Sequence, residues 1–154
     1  MTKEDFSNGV TSRQGQMYRI ARSYLRSEHD CLDVISEAIL KAWQKRETLR
    51  EEQYFGTWLC RIVIHECINL LRRQKRTVLV ESLPQQVQET GNQELRQALD
   101  ALPQPYRIAT VLHYMEGYSV EETARILRVP KGTVSSRLYY ARKQLRTLLQ
   151  EDML

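Results

Sequence analysis

YSVEETARILRVPKGTVSSRLYYARKQLRTLL, residues 118–149, is punctuated like two short helices with a tight turn between them. Ser119 followed by Glu122 is a capping box, in which hydroxyl and carboxylate each satisfy a free backbone N–H. Val120, Ala124 and Leu127 then recur at helical spacing. Val129-Pro130 stops that helix, because a residue before proline is pushed out of the α region. A second helix starts near Pro130, where a missing N–H costs nothing. The pair is a helix-turn-helix.

The second helix has two faces. At about 100° per residue, Val134, Leu138, Ala141, Leu145 and Leu148 form an apolar stripe. Ser135, Ser136, Tyr139, Arg142, Lys143 and Arg146 lie opposite, a hydroxyl-rich basic face without a carboxylate. On an ordinary amphipathic helix that face is solvated surface. Beside a capped helix and a proline turn it suits a DNA major groove, where Arg and Lys reach guanine edges or phosphates and Ser and Tyr reach phosphates.

The 154-residue chain is long enough for one compact domain or two small helical ones. Its net charge of +4 permits nucleic-acid binding. Counted by segment, residues 1–76 carry +4, residues 77–91 carry −2 and residues 92–154 carry +2. Only 6 Gly and 4 Pro occur, so the composition favours helix. No leader and no apolar run of roughly 20 residues is visible, which predicts a cytoplasmic protein. Three cysteines, an odd number, argue against a disulfide framework.

Upstream, residues 1–11 are polar, and Gly9 and Gly15 weaken any helix there. Met17, Ile20, Ala21, Tyr24 and Leu25 predict a helix over about 12–27. Asp30 is expected to cap the next, to about Lys45, with Val34, Ile35, Ala38, Ile39, Ala42 and Trp43 inward. Asp33, Glu37, Leu40, Lys41 and Gln44 share its outer face. Residues 46–56 read as a polar connection. A third helix over 57–76 has Leu59, Cys60, Val63, Cys67, Leu70 and Leu71 on one side. Arg61, His65, Asn69, Arg72 and Arg76 fall on the other. That stripe can set cations on phosphates and shorter polar groups on bases; it also fits a plain helix whose basic end suits its dipole. Cys60 and Cys67 stand two turns apart and His65 points elsewhere, so no metal site is expected.

Residues 77–91, with Pro84, a glutamine cluster and Gly91, read as a linker spanning at most about 50 Å. A short helix over 92–101 carries Leu95, Ala98, Leu99 and Leu102. Pro103 and Pro105 start another, to about Glu116, with Ile108, Ala109, Val111, Leu112 and Met115, and Gly117 ends it.

Two sets of motifs share one resemblance. ALPQPYRIATVLHYMEGYSVEETARILRVPKGTVSSRLYYARKQL resembles the fourth domain of extracytoplasmic-function (ECF) sigma factors, of the sigma-70 family. The likeness rests on Leu102-Pro103, Tyr106-Arg107, Glu121-Glu122-Thr123-Ala124, Gly132-Thr133-Val134 and Ser136-Arg137-Leu138. DCLDVISEAILKAW is similar to the second-domain signature of the same factors, as are Trp58-Leu59, Arg61-Ile62 and Asn69-Leu70-Leu71-Arg72-Arg73. The resemblance implies an all-α protein of two small helical domains: 1–76, sigma domain 2; 77–91, a linker; and 92–154, sigma domain 4. It implies no catalysis, no cofactor and no metal. Asp33, Ser36, Glu37, Leu40, Lys41 and Gln44 would bind core RNA polymerase at the clamp coiled coil, and domain 4 would meet the flap. Trp58, Arg61, His65, Asn69, Arg72, Arg73 and Arg76 would read and melt the −10 element, with the 46–56 loop taking an extruded base. Lys131, Thr133, Ser135, Ser136, Arg137, Tyr139, Arg142, Lys143 and Arg146 would meet the −35 element. An anti-sigma factor, of a kind that can be membrane-anchored, is the implied regulator.

The chain departs from the family pattern at several points. Ser36 replaces a usual Gln, Ile39 a Phe and His65 an Asn. Arg128 stands where glycine is frequent, which predicts a turn that is less tight or locally strained. Tyr140 replaces a usual arginine. The rival reading is a stand-alone helix-turn-helix regulator, which would need a dimer to read two half-sites; no dimerisation heptad is present. A metal-dependent enzyme would need clustered ligands, and His29, His65 and His113 are scattered.

Overall fold

The computed structural model describes residues 1–76 and 93–150, apart from the side chains of Arg76 and Gln150. The chain divides into two compact units, Met1–Val87 and Gln88–Leu154. The linker expected over 77–91 lies outside the described residues. Among the described residues every regular element is helical.

The first unit opens with a helix that its sequence argued against. α1 spans Lys3–Thr11, and Thr2 caps it by accepting from the Asp5 N–H at 3.1 Å. Phe6 and Val10 are buried, and the Phe6 ring meets Trp43 edge-on at 5.1 Å and Phe55 at 5.8 Å. Gly9 lets α1 approach Phe55: a Cβ there would stand 2.8 Å from that ring. Tertiary burial thus outweighs the poor local propensity.

α2, Gln14–Tyr24, is shorter at both ends than the expected 12–27, with Met17, Ile20 and Ala21 inward. α3, Glu28–Gln44, is capped by Ser27 rather than Asp30. The Ser27 hydroxyl accepts from the Asp30 N–H at 3.3 Å, and the Asp30 carboxylate accepts from Gln74 Nε2 at 3.0 Å. Two short 3₁₀ turns, Arg46–Thr48 and Glu52–Tyr54, occupy the expected polar connection. α4 then runs Phe55–Arg76. Phe55, Leu59, Cys60, Val63, Ile64 and Cys67 are buried, whereas Leu70 and Leu71 are half-buried. α2, α3 and α4 pack on one another and enclose this core.

In the second unit, α5 (Gln93–Ala101), α6 (Gln104–Thr110) and α7 (Val120–Leu127) pack against α8 (Lys131–Gln150). Arg107 ties the end of α5, its guanidinium donating to the carbonyls of Leu99, Asp100 and Leu102 at 3.1, 3.3 and 2.7 Å. α6 continues into a π turn, Val111–Met115, and the chain reverses at Gly117, whose φ is +78°.

Leu95, Met115 and Leu148, expected inside, are 38%, 44% and 38% exposed. For Leu95 and Met115 the reason is geometric. α5, the π turn and the far end of α8 leave an open apolar depression of about 670 Å³ between them, which Leu95 and Met115 line with Leu145 and Leu149. Periodicity shows which side of a helix is apolar, and nothing about whether a neighbour reaches it.

Candidate functional site

The helix-turn-helix forms as its sequence dictates. The Ser119 N–H donates to Glu122 Oε1 at 3.1 Å and the Glu122 N–H to Ser119 Oγ at 3.0 Å. Ala109, Ala124, Val134 and Leu138 make the core beneath it, with Val120, Leu127 and Val129 against them. Arg128 closes α7 in the left-handed region, at φ 56° and ψ 47°. That is the strained turn expected from an arginine at a glycine-favouring position.

On α8 the structure brings Ser135, Ser136, Tyr139, Arg142, Lys143 and Arg146 onto one exposed face, within about 120° of one another. Thr133 and Arg137 are half-buried along its flank. Lys131 is exposed at the helix start, its Nζ 3.1 Å from Glu121 Oε1. The Glu121 carboxyl is held below its usual value, first by a backbone hydrogen bond and then by Lys131. Arg142 donates to the Tyr114 hydroxyl at 2.6 Å. Tyr140 stacks on Tyr106, ring centroids 6.2 Å apart and 20° from parallel, and presents its ring to Tyr139 at 5.5 Å and 78°. The residue in the usual arginine position is therefore a ring that props another ring of the outer face. Sequence reading did not assign Tyr140 to the site; an exposed tyrosine pair inside a basic helix was the available signal.

On α4, His65, Arg72 and Arg73 are exposed, and Trp58, Arg61 and Asn69 are half-buried beside them. Arg76 is the last residue of α4, and its side chain lies outside what the structure describes. The Trp58 indole N–H donates to Thr48 Oγ1 at 3.3 Å, which ties the stripe to the 46–54 turns. Trp43 underlies the same segment: the Arg46 guanidinium sits 3.9 Å over its ring and donates to its carbonyl at 2.7 Å.

On α3, Asp33, Ser36, Glu37, Leu40 and Gln44 are exposed. Leu32, also exposed, adds a second apolar side chain to this face. Sequence reading missed it, although a leucine outside the buried stripe marks it. Lys41 differs from the others. It is half-buried, and its Nζ stands 2.6 Å from Oε1 of Glu66 on α4. Glu66 is 3% exposed, and nothing in its local sequence flagged it.

Cys31, Cys60 and Cys67 are buried free thiols. Burial pushes the Cys67 thiol far up, with Cys31 and Glu66 adding to the effect; such a group packs as a small apolar residue. Among the described residues no group of three His, Cys, Asp or Glu could hold a metal ion. No described helix is long and apolar enough to cross a membrane.

Comparison with known proteins covers both units. The family model described as Sigma-70 region 2 matches residues 10–77, and the one described as Sigma-70, region 4 matches residues 92–145. RNA polymerase sigma factor SigV of Bacillus subtilis is 32% identical over 151 residues, spanning 94% of this chain and 91% of that protein. ECF RNA polymerase sigma factor SigM of Mycobacterium tuberculosis is 36% identical over 140 residues, spanning 87% and 71%. Among solved structures, the sigma factor RpoE in complex with the anti-sigma factor NepR, from Bartonella quintana, aligns at TM-score 0.82 with 26% identity, covering 96% of this chain and 98% of that one. CnrH in complex with the cytosolic domain of CnrY aligns at TM-score 0.75 with 25% identity, covering 98% and 91%.

Proposed function

From the premise that the chain belongs to the ECF sigma factors of the sigma-70 family, we propose how its surfaces divide the work. The protein is a promoter-specificity subunit for transcription initiation; it binds core RNA polymerase and promoter DNA and is not an enzyme. The stand-alone regulator is not favoured, because the region 2 match gives a role to the half of the chain that such a regulator leaves idle.

The observation that carries the division is the carboxylate-free exposed face of α8 on a capped helix-turn-helix. Lys131, Arg142, Lys143 and Arg146 set register on phosphates of the −35 element. Arg137 faces base edges, where a good bidentate pair discriminates by about 1–3 kcal/mol, and Ser135, Ser136 and Tyr139 offer hydroxyls to phosphates. Thr133 supports the helix start. On α4, Arg61, Arg72, Arg73 and Arg76 hold the −10 backbone while Trp58, His65 and Asn69 meet unstacked bases. Extruding a base costs a few kcal/mol, and the 46–54 turns beside Trp58 form the edge of the pocket that offsets it. The α3 face of Asp33, Ser36, Glu37, Leu40 and Gln44 docks on the polymerase clamp. The protein acts in the cytoplasm under an anti-sigma partner, by analogy with the RpoE–NepR and CnrH–CnrY pairs.

Run-off transcription with purified bacterial core polymerase and genomic fragments tests this. Specific transcripts are expected, and arginine loss in R72A/R73A should lower opening while sparing core binding. A chain that does not bind core polymerase would overturn the reading.

A further inference from the structure

The Lys41–Glu66 pair is a poor stabiliser by design. Glu66 sits on the inward side of α4 with a side chain only 4% exposed, and Lys41 reaches it from α3 with its own side chain 37% exposed. Removing a carboxylate from water is expensive, and a buried ion pair often does no better than apolar side chains of the same volume. The residues around it on the inward side of α4 are apolar: Cys67 and Val63 are fully buried, and Ile64 nearly so. The best-attested use of a charge kept in that setting is to fix register, and this pair ties α3 to α4 at 2.6 Å.

The two helices carry different surfaces. Lys41 follows Leu40 on the face assigned to the polymerase, and Glu66 follows His65 in the middle of the stripe assigned to the −10 strand. We propose that Lys41 is a positioning residue rather than a polymerase contact: through Glu66 it pins the turn of α4 that presents His65 and Asn69 in fixed register with the polymerase-docking face of α3. This rests on the division of surfaces proposed above. It also reassigns the one residue of the α3 set whose charged atom turns inward.

A double-substitution cycle tests the pin in the full-length chain: K41M, E66M, K41M/E66M and K41R. Each is assayed for affinity to core polymerase and, separately, for the rate of open-complex formation on a promoter found by run-off transcription. All measurements use protein verified as folded by circular dichroism. K41M and E66M are each expected to slow opening at least tenfold with core affinity unchanged within twofold. The double variant should be no slower than either single, because both remove the same interaction. K41R, whose guanidinium still reaches the carboxylate, should open at close to the parent rate. A tenfold loss of core affinity in K41M, retained in the double variant, would make Lys41 a polymerase contact and overturn the proposal. Single variants that fold and open normally would overturn it too, leaving the pair a packing feature. If K41M does not fold, E66M and K41R still decide, since opening must fall in the first and persist in the second. Parent protein that fails to bind core polymerase would instead refute the proposed function, so the two failures are distinguishable.

Discussion

Replacing Arg128 by glycine should stabilise the second unit. Arg128 holds φ 56° and ψ 47°, where an L-residue is penalised by about 1–2 kcal/mol because its Cβ crowds the following carbonyl. The turn keeps its hydrogen bonds regardless of side chain: the N–H groups of Arg128 and Val129 both donate to the Ala124 carbonyl, the latter at 3.1 Å. R128G removes the crowding. It also frees the unfolded chain, an opposing effect of roughly 0.5–1 kcal/mol. The net expectation is a gain of about 0.5–1 kcal/mol. A whole-chain melt reports both compact units at once; native-state hydrogen exchange on the amides of α7 and α8 reads the right one. Exchange there should slow about two- to fivefold, since 1.4 kcal/mol is a factor of ten. R128A keeps the strain and should not gain. Faster exchange in both variants would mean that the arginine side chain stabilises the turn by more than its backbone costs, and the strain argument would fail.

The other predictions concern neighbouring groups. Thr123 is fully buried and its Oγ1 has no hydrogen-bond partner; T123V should gain about 1 kcal/mol by removing an unsatisfied hydroxyl, seen as slower exchange of the same amides, and a loss would mean that the hydroxyl is bonded in solution. Glu121 has a lowered pKa, so its contribution is complete above the ordinary value of 4.5 and disappears as pH falls through the lower folded value. In K131M the Glu121 carboxyl, followed by NMR, should titrate higher than in the parent but still below 4.5, because the backbone hydrogen bond is the larger cause. A return all the way to 4.5 would make Lys131 the sole cause.

What the sequence made legible was local chemistry. A capping box, a proline turn and a glycine at positive φ act over a few residues, and each formed where its residues stood. The outer faces of α4 and α8 were equally legible, since helical geometry alone groups their side chains. Relations between distant residues were not. α1 depends on Gly9 meeting Phe55, 46 positions away, so its glycine read as a weakness when it is a close-packing site. Ser27 and Asp30 are both good caps three apart; Ser27 takes the role, and the Asp30 carboxylate accepts instead from Gln74, at the far end of α4. Glu66 looked like one more polar residue on an amphipathic helix until Lys41, 25 positions earlier, explained its burial.

The α8 face proposed for the −35 element suits a larger assembly. Its cations are already partly engaged: Lys131 pairs with Glu121, and Arg142 donates to the Tyr114 hydroxyl. The first is an exposed pair of small energy, with which DNA phosphates would compete. Tyr140 takes a further cation away and supplies in its place a stack on Tyr106 that restrains Tyr139. The exchange lowers the charge that drives sequence-independent binding, since that binding grows with the number of phosphates neutralised. It leaves in place the groups proposed to meet base edges, so weaker general affinity with retained discrimination is the expected consequence. Adequate occupancy then has to come from tethering. With both DNA-facing units on one chain and the chain held on polymerase, binding of the second element becomes intramolecular, and avidity rises without any new contact. A basic face this restrained is therefore better matched to a subunit delivered by polymerase than to a protein that searches DNA alone.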